Sequence, residues 1–554
     1  MIVDVNIGRL LRLLGGQVKI DQIEDALFLL KCESERLDDN TLAVEVNPDR
    51  QDMLSTEGIA RALRAFMGLG VVPARYQVRS SGKEVIVTRG LEKIRPFIAC
   101  GVVRDIEISD EIIRDYMRLQ ERLTDTHGRN RRKASIGLYV FDQIVFPVTY
   151  SVSRPERIRF VPLGHDASMS GPEILEKHEK GQLYGHIISG FSKWPILTDA
   201  EGKTLSLPPI INSNDIGRVT EDDRDIFVEV TGTHLQTVFQ ALNIMMTSFA
   251  EVGGRLESVK VLYPSGDVHE TPQLEPQRRK ISTARINELT GLGLTDEETV
   301  RCLSRMCYGA QVTEQGVVSL EVPAYRTDIM HDVDVIEDVA IGYGFDRIEP
   351  SFPSTMTSGK LLPRTRLKNK VRDLMVGCSY QEIMNYIMTS PDVLNARMNR
   401  ATPMISVANP KSSEYCVLRN ALLPVLLDFA SRNQHAGYPQ RLFEVGDIVI
   451  PDSSKETRSL QVPSVSGLTI DDRVNLTQMM SEIAFVLRNL GLDGRFKFRA
   501  SPHASFIEGR SGTIIVDDDE VGLFGELDPD VLTKFGIARP AVAFEIQLPH
   551  AGTW

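Results

Sequence analysis

Cysteine is scarce in this chain, six residues in 554, and no two of them form a CxxC pair. A thiolate zinc site and a disulfide framework both need closer spacing, so neither is expected, and a reducing, cytoplasmic location suits the chain. Long apolar runs are missing: nothing reaches the roughly 18 residues that a membrane helix requires. The start, MIVDVNIGRL, lacks the charged-then-apolar layout of a signal peptide. Basic residues are outnumbered, 63 against 75 acidic ones, leaving a formal charge of −12. That balance excludes a protein that coats nucleic acid non-specifically, while a local basic patch for one RNA stays open. GxxxxGK[ST], a GxGxxG after a strand, and HExxH do not occur, so phosphate-loop, dinucleotide and zincin readings lose their main supports. There is no repeat at a fixed period and no low-complexity tract.

What is present is ordinary for soluble globular domains: 42% apolar and 25% charged residues, in a length that suggests three to five domains. Residues 1–90 read as helix patterns alternating with short loops, with Ile59, Leu63 and Phe66 at helical spacing in Thr56–Met67. From 91 to 270 strand-like runs such as Phe97–Ile106 and Asp225–Val230 alternate with helical ones, Ser109–Leu123 and Ala241–Phe249. Residues 275–350 form a compact unit. A helix starts at Thr283, a capping box at Thr295-Asp296-Glu297-Glu298 opens a second, Gln315-Gly316 joins two strands, and a third helix carries Val335, Ile336, Val339, Ala340 and Tyr343. Helix, helix, hairpin and helix suggest a winged-helix-like module. Pro350–Pro363 reads as a linker, and mixed α/β patterning resumes beyond it.

Four groups of residues carry chemistry. Asp334, Glu337 and Asp338 fall at i, i+3 and i+4 on one helix face, with Asp328 just before the helix. Such oxygens suit Mg²⁺, though on spacing alone a solvated acidic face near a helix N-terminus is the commoner meaning. Arg129–Lys133 places four cations in five residues, either a phosphate-contacting patch or a solvated loop. Leu197, Ser206, Asn212, Glu229 and Thr231 are dispersed over 35 positions; Glu229 and Thr231 alternate on one strand and so share a face. Arg441–Gly446, RLFEVG, marks a strand after the helix-like Leu418–Ala430.

In order along the chain, Asn47–Gly68, Pro208–Thr233, Pro323–Arg347 and Val407–Gly446 resemble one family, the β subunit of phenylalanyl-tRNA synthetase in its archaeal and eukaryotic-cytosolic form. The resemblance implies a multidomain α+β chain. It consists of an N-terminal module (1–90), an α+β tRNA-editing domain (91–270), a winged-helix-like magnesium-binding module (271–352) and a non-catalytic class II synthetase-like antiparallel-sheet domain (353–554). It implies Mg²⁺ on Asp328, Asp334, Glu337 and Asp338, which match the family spacing D-x₅-D-x₂-E-[DE]. It also implies an editing pocket at Leu197, Ser206, Asn212, Glu229 and Thr231, with Glu229 where archaeal relatives often carry Asp.

The implied activity is that of phenylalanine-tRNA ligase, working as an α₂β₂ tetramer with tRNA(Phe) and without a membrane. The α subunit joins phenylalanine to tRNA using ATP, and this subunit hydrolyses mischarged Tyr-tRNA(Phe). In that reading Glu229 accepts the phenol hydrogen bond beside Thr231, Ser206 and Asn212 position the ester or a water, and Leu197 flanks the ring. The C-terminal domain is expected to lack synthesis: Phe535–Pro540, FGIARP, has no glycine array, and Pro540 interrupts any helix that follows. A stand-alone trans-editing deacylase and a non-hydrolytic scaffold or RNA-binding subunit are the rival readings.

Overall fold

A computed structural model describes residues 1–16, 18–70, 75–353, 355 and 357–549. The chain divides into two compact units, Met1–Phe352 and Pro353–Trp554. It is a mixed α/β, multidomain protein. No described helix is long and apolar enough to cross a membrane.

The first unit begins with a three-stranded antiparallel sheet, β1 (Ile2–Asn6), β2 (Glu33–Arg36) and β3 (Thr41–Glu45), in the order β1-β3-β2. The helix-and-loop expectation for residues 1–90 missed these strands. They are short, and the pairing of β1 with β3 joins residues some 40 apart, which no local periodicity reports. The helix Thr56–Phe66 forms as expected: Ser55 caps it by accepting from the Gly58 N–H, and Ile59, Leu63 and Phe66 are buried.

The next part is built on one large sheet. Its strands are β4 (Val78–Val87), β5 (Phe97–Arg104), β6 (Ala134–Val140) and β7 (Val148–Ser153). After a small hairpin of β8 (Arg159–Phe160) and β9 (Met169–Ser170) come β10 (Trp194–Thr198), β11 (Thr204–Leu207), β12 (Ile211–Asn212), β13 (Ile226–Gly232), β14 (Arg255–Leu262) and β15 (Val268–Thr271). The order is β12-β11-β10-β7-β4-β14-β5-β13-β6, with β15 beside β14. Helices Asp110–Asp125 and Leu235–Glu251 pack on one face through Tyr116, Leu119, Leu242 and Met245, against Val228 and Val230 of β13. The other face carries Cys100, Tyr139, Tyr150, Leu197 and Phe227.

A smaller three-stranded sheet follows, β16 (Gln277–Ser282), β17 (Gly309–Glu314) and β18 (Val317–Val322), with helices Thr283–Thr290, Asp296–Arg305 and Asp332–Tyr343. The capping box at Thr295 is made in both directions with Glu298. Leu303, Met306 and Cys307 are buried, and Val300 is half-buried against the same core.

The linker stretch Pro350–Pro363 contains no helix or strand among its described residues before Pro363, which opens the helix Pro363–Gly377; Ser354 and Met356 lie outside the described residues. In the second unit a seven-stranded sheet joins β19 (Gln381–Glu382), β22 (Gln440–Pro451), β23 (Ser459–Ile470), β24 (Phe496–Ala500), β25 (Phe506–Val516), β26 (Asp519–Leu527) and β27 (Ala541–Gln547), in the order β19-β22-β23-β27-β26-β25-β24. A separate pair, β20 (Met388–Thr389) and β21 (Val417–Leu418), precedes the helix Leu423–Arg432. That helix starts later than the pattern suggested, because Val417 and Leu418 are spent on β21 and Pro424 suits a first turn.

Candidate functional site

Strand register explains how scattered residues meet. Leu197 of β10 faces Ser206 of β11, and Ser206 faces Asn212 of β12, so these three form a row on one face of the sheet. On β13, Glu229 lies between Cys100 of β5 and Gly137 of β6, and Thr231 between Ile98 and Ser135. The two sets belong to opposite ends of the strand order. They come together because the sheet curls: Asn212 Nδ2, on one edge strand, donates to the Leu138 carbonyl, on the other, at 3.2 Å. In the seam so closed, the Tyr139 hydroxyl donates to Glu229 Oε2 at 2.8 Å and lies 3.3 Å from Asn212 Oδ1.

A cavity of about 100 Å³ opens at this seam, lined by Glu229, Ser206, Asn212, Ser135, Arg131 and Gln120, with the Glu121–Lys180 pair and apolar neighbours. Next to it lies a more apolar cavity of about 480 Å³ between the helix Asp110–Asp125 and the sheet, which shares Met117, Gln120, Leu163 and Asn212 as its wall. Ser206 Oγ is buried and has no hydrogen-bond partner among the described residues, a condition that favours a ligand or water in the cavity. Burial raises the Glu229 carboxyl to about 7, against the Tyr139 hydrogen bond and the Arg95 charge, which both favour the ionised form.

Of the residues singled out in the sequence, Ser206, Asn212 and Glu229 line the cavity directly. Thr231 is fully buried one layer back and meets the wall through Ser135, whose Oγ is 3.2 Å from Thr231 Oγ1. Leu197 is fully buried in its row and does not line the cavity.

Several residues of the site escaped the sequence reading. Arg95 is fully buried, and its five hydrogen bonds all go to uncharged oxygens: Thr231 Oγ1, Ser135 Oγ and the carbonyls of Thr231, Arg131 and Arg132. Burial pulls its guanidinium down to about 10. Arg131, part of the basic run, turns inward, stacks over Tyr184 at 4.2 Å and donates to the carbonyls of Pro209 and Ile210. Of the cations in the run, Arg129 and Arg132 are exposed. Arg129, Asn130 and Arg131 all have positive φ, a tight turn that the run of cations disguised as a solvated loop.

The four carboxylates expected to share Mg²⁺ do not converge on one point. Asp328 and Asp338 both pair with the buried guanidinium of Arg326, at 2.7 and 2.6 Å, and the Tyr308 hydroxyl donates to Asp338 at 2.6 Å. Asp334 turns back to accept from the Met330 and His331 N–H groups, both at 2.7 Å, as the cap of its helix. Glu337 points to solvent and pairs with Lys31 at 2.8 Å. Among the described residues no group of three or more His, Cys, Asp or Glu side chains is gathered for a metal. The residues as arranged fit an internal arginine and not a magnesium ion. Burial alone lowers the Arg326 guanidinium, yet Asp338 and Asp328 outweigh it and hold the group well above its ordinary value.

In the second unit, Glu444, Ser466 and Glu545 form a polar row across β22, β23 and β27. The row is fully engaged from within: Arg419 pairs with Glu444 at 2.6 Å, and Glu545 accepts from the Leu422 and Leu423 N–H groups. Arg539 points to a surface pair with Asp472.

Residues 279–345 match the family model described as the tRNA synthetase B5 domain, and residues 348–548 match that of the phenylalanyl tRNA synthetase beta chain CLM domain. The class follows: a subunit of an aminoacyl-tRNA synthetase. The chain is 38% identical over 551 residues to the phenylalanine–tRNA ligase beta subunit of Pyrococcus furiosus, covering 98% of each. It is 40% identical over 506 residues to that of Methanothrix thermoacetophila, covering 91% of this chain and 92% of the relative. The crystal structure of an N-terminal fragment of the phenylalanyl-tRNA synthetase beta-subunit from Pyrococcus horikoshii matches with a TM-score of 0.60 at 37% identity, over 62% of this chain and 99% of the fragment. The chain therefore belongs to the phenylalanine–tRNA ligase beta subunit family.

Proposed function

We propose that this chain performs the proofreading of a phenylalanine–tRNA ligase, hydrolysing mischarged Tyr-tRNA(Phe) in the cavity between β6 and β12. Synthesis of Phe-tRNA(Phe) from ATP then rests with an alpha subunit, in an α₂β₂ tetramer. One observation carries the reading: a buried carboxylate, Glu229, that accepts a phenolic hydroxyl at 2.8 Å beside a cavity. Tyrosine differs from phenylalanine by that hydroxyl alone, and an apolar synthetic pocket rejects the added group by only about 10²-fold. A second pocket that pairs the phenol removes the error, and leaves its own acceptor unpaired when phenylalanine enters.

No histidine is among the described residues lining the polar cavity, and the Glu229 carboxylate is committed to the Tyr139 hydroxyl, so no Ser–His pair is present to make Ser206 a nucleophile. Hydrolysis by a water is the simpler chemistry. The Ser206 hydroxyl and Asn212 amide hold the ester or that water, Glu229 takes the phenol, and Thr231, fixed by Arg95, supports the wall through Ser135. The adjoining 480 Å³ cavity supplies volume that the polar seam lacks for an aminoacylated nucleoside. Arg129 and Arg132, exposed on their turn, are the members of the basic run left for tRNA phosphates. ATP and its magnesium belong, in this reading, to the alpha subunit. In the small module Arg326 pairs with Asp328 and Asp338, two of the four carboxylates that the family spacing assigns to Mg²⁺, and the engaged Glu444–Ser466–Glu545 row suits a sheet that supports synthesis rather than performing it.

Glu229→Ala in the co-purified tetramer is expected to slow Tyr-tRNA(Phe) clearance at least tenfold, with Phe-tRNA(Phe) synthesis in the same preparation as the standard. Clearance at the wild-type rate refutes the assignment.

A further inference from the structure

The cavity wall already contains a phenol. Tyr139 lies two residues beyond Gly137 on β6, so the two positions share a face. Its ring is fully buried, with its centroid 6.0 Å from that of Phe227, and its hydroxyl is the donor to Glu229 Oε2 and the neighbour of Asn212 Oδ1. Gly137 stands directly opposite Glu229 in the register of β6 and β13. A Cβ at Gly137 would lie 2.5 Å from Glu229 Oε2 and would also collide with the Tyr139 hydroxyl. The phenol and the carboxylate can meet only because residue 137 has no side chain.

Resting on the proofreading reading above, we propose that Tyr139 is the positioning residue that sets hydroxyl specificity: its phenol clamps one oxygen of Glu229 through the gap left by Gly137. A carboxylate has about four lone-pair sites on two oxygens, and the last torsion of a glutamate is broad. Unclamped, Glu229 spreads its acceptors over many directions. Clamped at Oε2, it presents its remaining lone pairs to one region of the seam, where an incoming phenol is distinguished from a bare ring. The same bond acts on charge. A donor to the ionised form favours that form, and Tyr139 opposes the burial that drives the Glu229 carboxyl upward. Without the clamp, Glu229 stays neutral over a wider range of pH and loses its strength as an acceptor.

The test uses the holoenzyme, co-purified with its alpha subunit, as wild type, Tyr139→Phe, Gly137→Ala and the double variant. The readouts are kcat and KM for clearance of Tyr-tRNA(Phe) and Phe-tRNA(Phe), from pH 5.5 to 8.5. Each single variant is expected to lower the Tyr-over-Phe clearance ratio about tenfold. Each should also move the midpoint of the Tyr-tRNA profile to higher pH. The double variant is expected to be no worse than either single one, since both break the same contact. An unchanged ratio and midpoint in Tyr139→Phe overturns the inference, as does a multiplicative loss in the double variant, which would mark two separate packing defects. Tyr139→Phe keeps the ring, so its pH profile decides the matter even if Gly137→Ala fails to fold. If Glu229→Ala slows Tyr clearance and Tyr139→Phe does not, this inference alone falls; if Glu229→Ala also clears at the wild-type rate, the proofreading reading falls with it.

Discussion

Glu229 carries a cost that its surroundings do not remove. Its carboxyl is raised to about 7 in the fold, chiefly by burial, against about 4.3 in an unfolded chain. The folded state therefore holds the proton more tightly. The contribution is fully present below the unfolded value and is lost as pH rises through 7, so ionised Glu229 destabilises the fold on the alkaline side. Glu229→Gln keeps an oxygen for the Tyr139 hydroxyl and removes the charge. It is expected to raise stability at pH 8 by something on the order of 3–4 kcal/mol, with the difference fading towards pH 4.5. Calorimetric melting at the two pH values checks this, and a difference independent of pH contradicts it. The residues that line the cavity were legible as far as their types allow. Ser206, Asn212 and Glu229 read by themselves as ordinary polar decoration of a sheet, and it is the family resemblance that singles them out. Tyr139 and Gly137 are not singled out, because Ala134–Val140 reads as an apolar core strand in which a tyrosine and a glycine draw no notice. Only the curl of the sheet turns them into neighbours of Asn212.

Elements with strong local signals formed where the periodicity and caps placed them. Ser109 caps the helix Asp110–Asp125, Thr295 closes a capping box, and Gly316, at positive φ, turns β17 into β18. The first three strands were hidden because their partners are distant in sequence. The acidic helix Asp332–Tyr343 shows a different limit. Its spacing correctly places Asp334, Glu337 and Asp338 on one helix, yet spacing says nothing about Arg326, which approaches from the loop before it, or Lys31, which comes from the N-terminal part. Among the described residues Arg326 is the single cation in ion-pair contact with both Asp328 and Asp338, and all three side chains are largely buried. Removing it leaves two buried carboxylates without their ion-pair partner, with only the more distant charge of Arg50 acting on Asp328. Arg326→Leu is expected to destabilise the chain by about 3–5 kcal/mol. Saturating chelator is expected to leave the wild-type melting temperature where it is. A chelator-induced drop, or an unaltered melt for Arg326→Leu, contradicts the arrangement.

Over the whole molecule, the −12 charge means that attraction to tRNA comes from local patches and not from the overall field. Within the first unit, one sheet positions both a carboxylate-lined seam and an apolar cavity; within the second, the central sheet spends its polar residues on its own loops. Membership in the phenylalanine–tRNA ligase beta subunit family states what enzyme such a chain serves, and the seam states what this chain adds to it. The most direct measurement is the rate at which the wild-type holoenzyme, without ATP, releases tyrosine from Tyr-tRNA(Phe), set against its release of phenylalanine from Phe-tRNA(Phe). A pocket built to pair a phenol predicts a ratio on the order of 10² or more in favour of tyrosine; equal rates for the two esters contradict it.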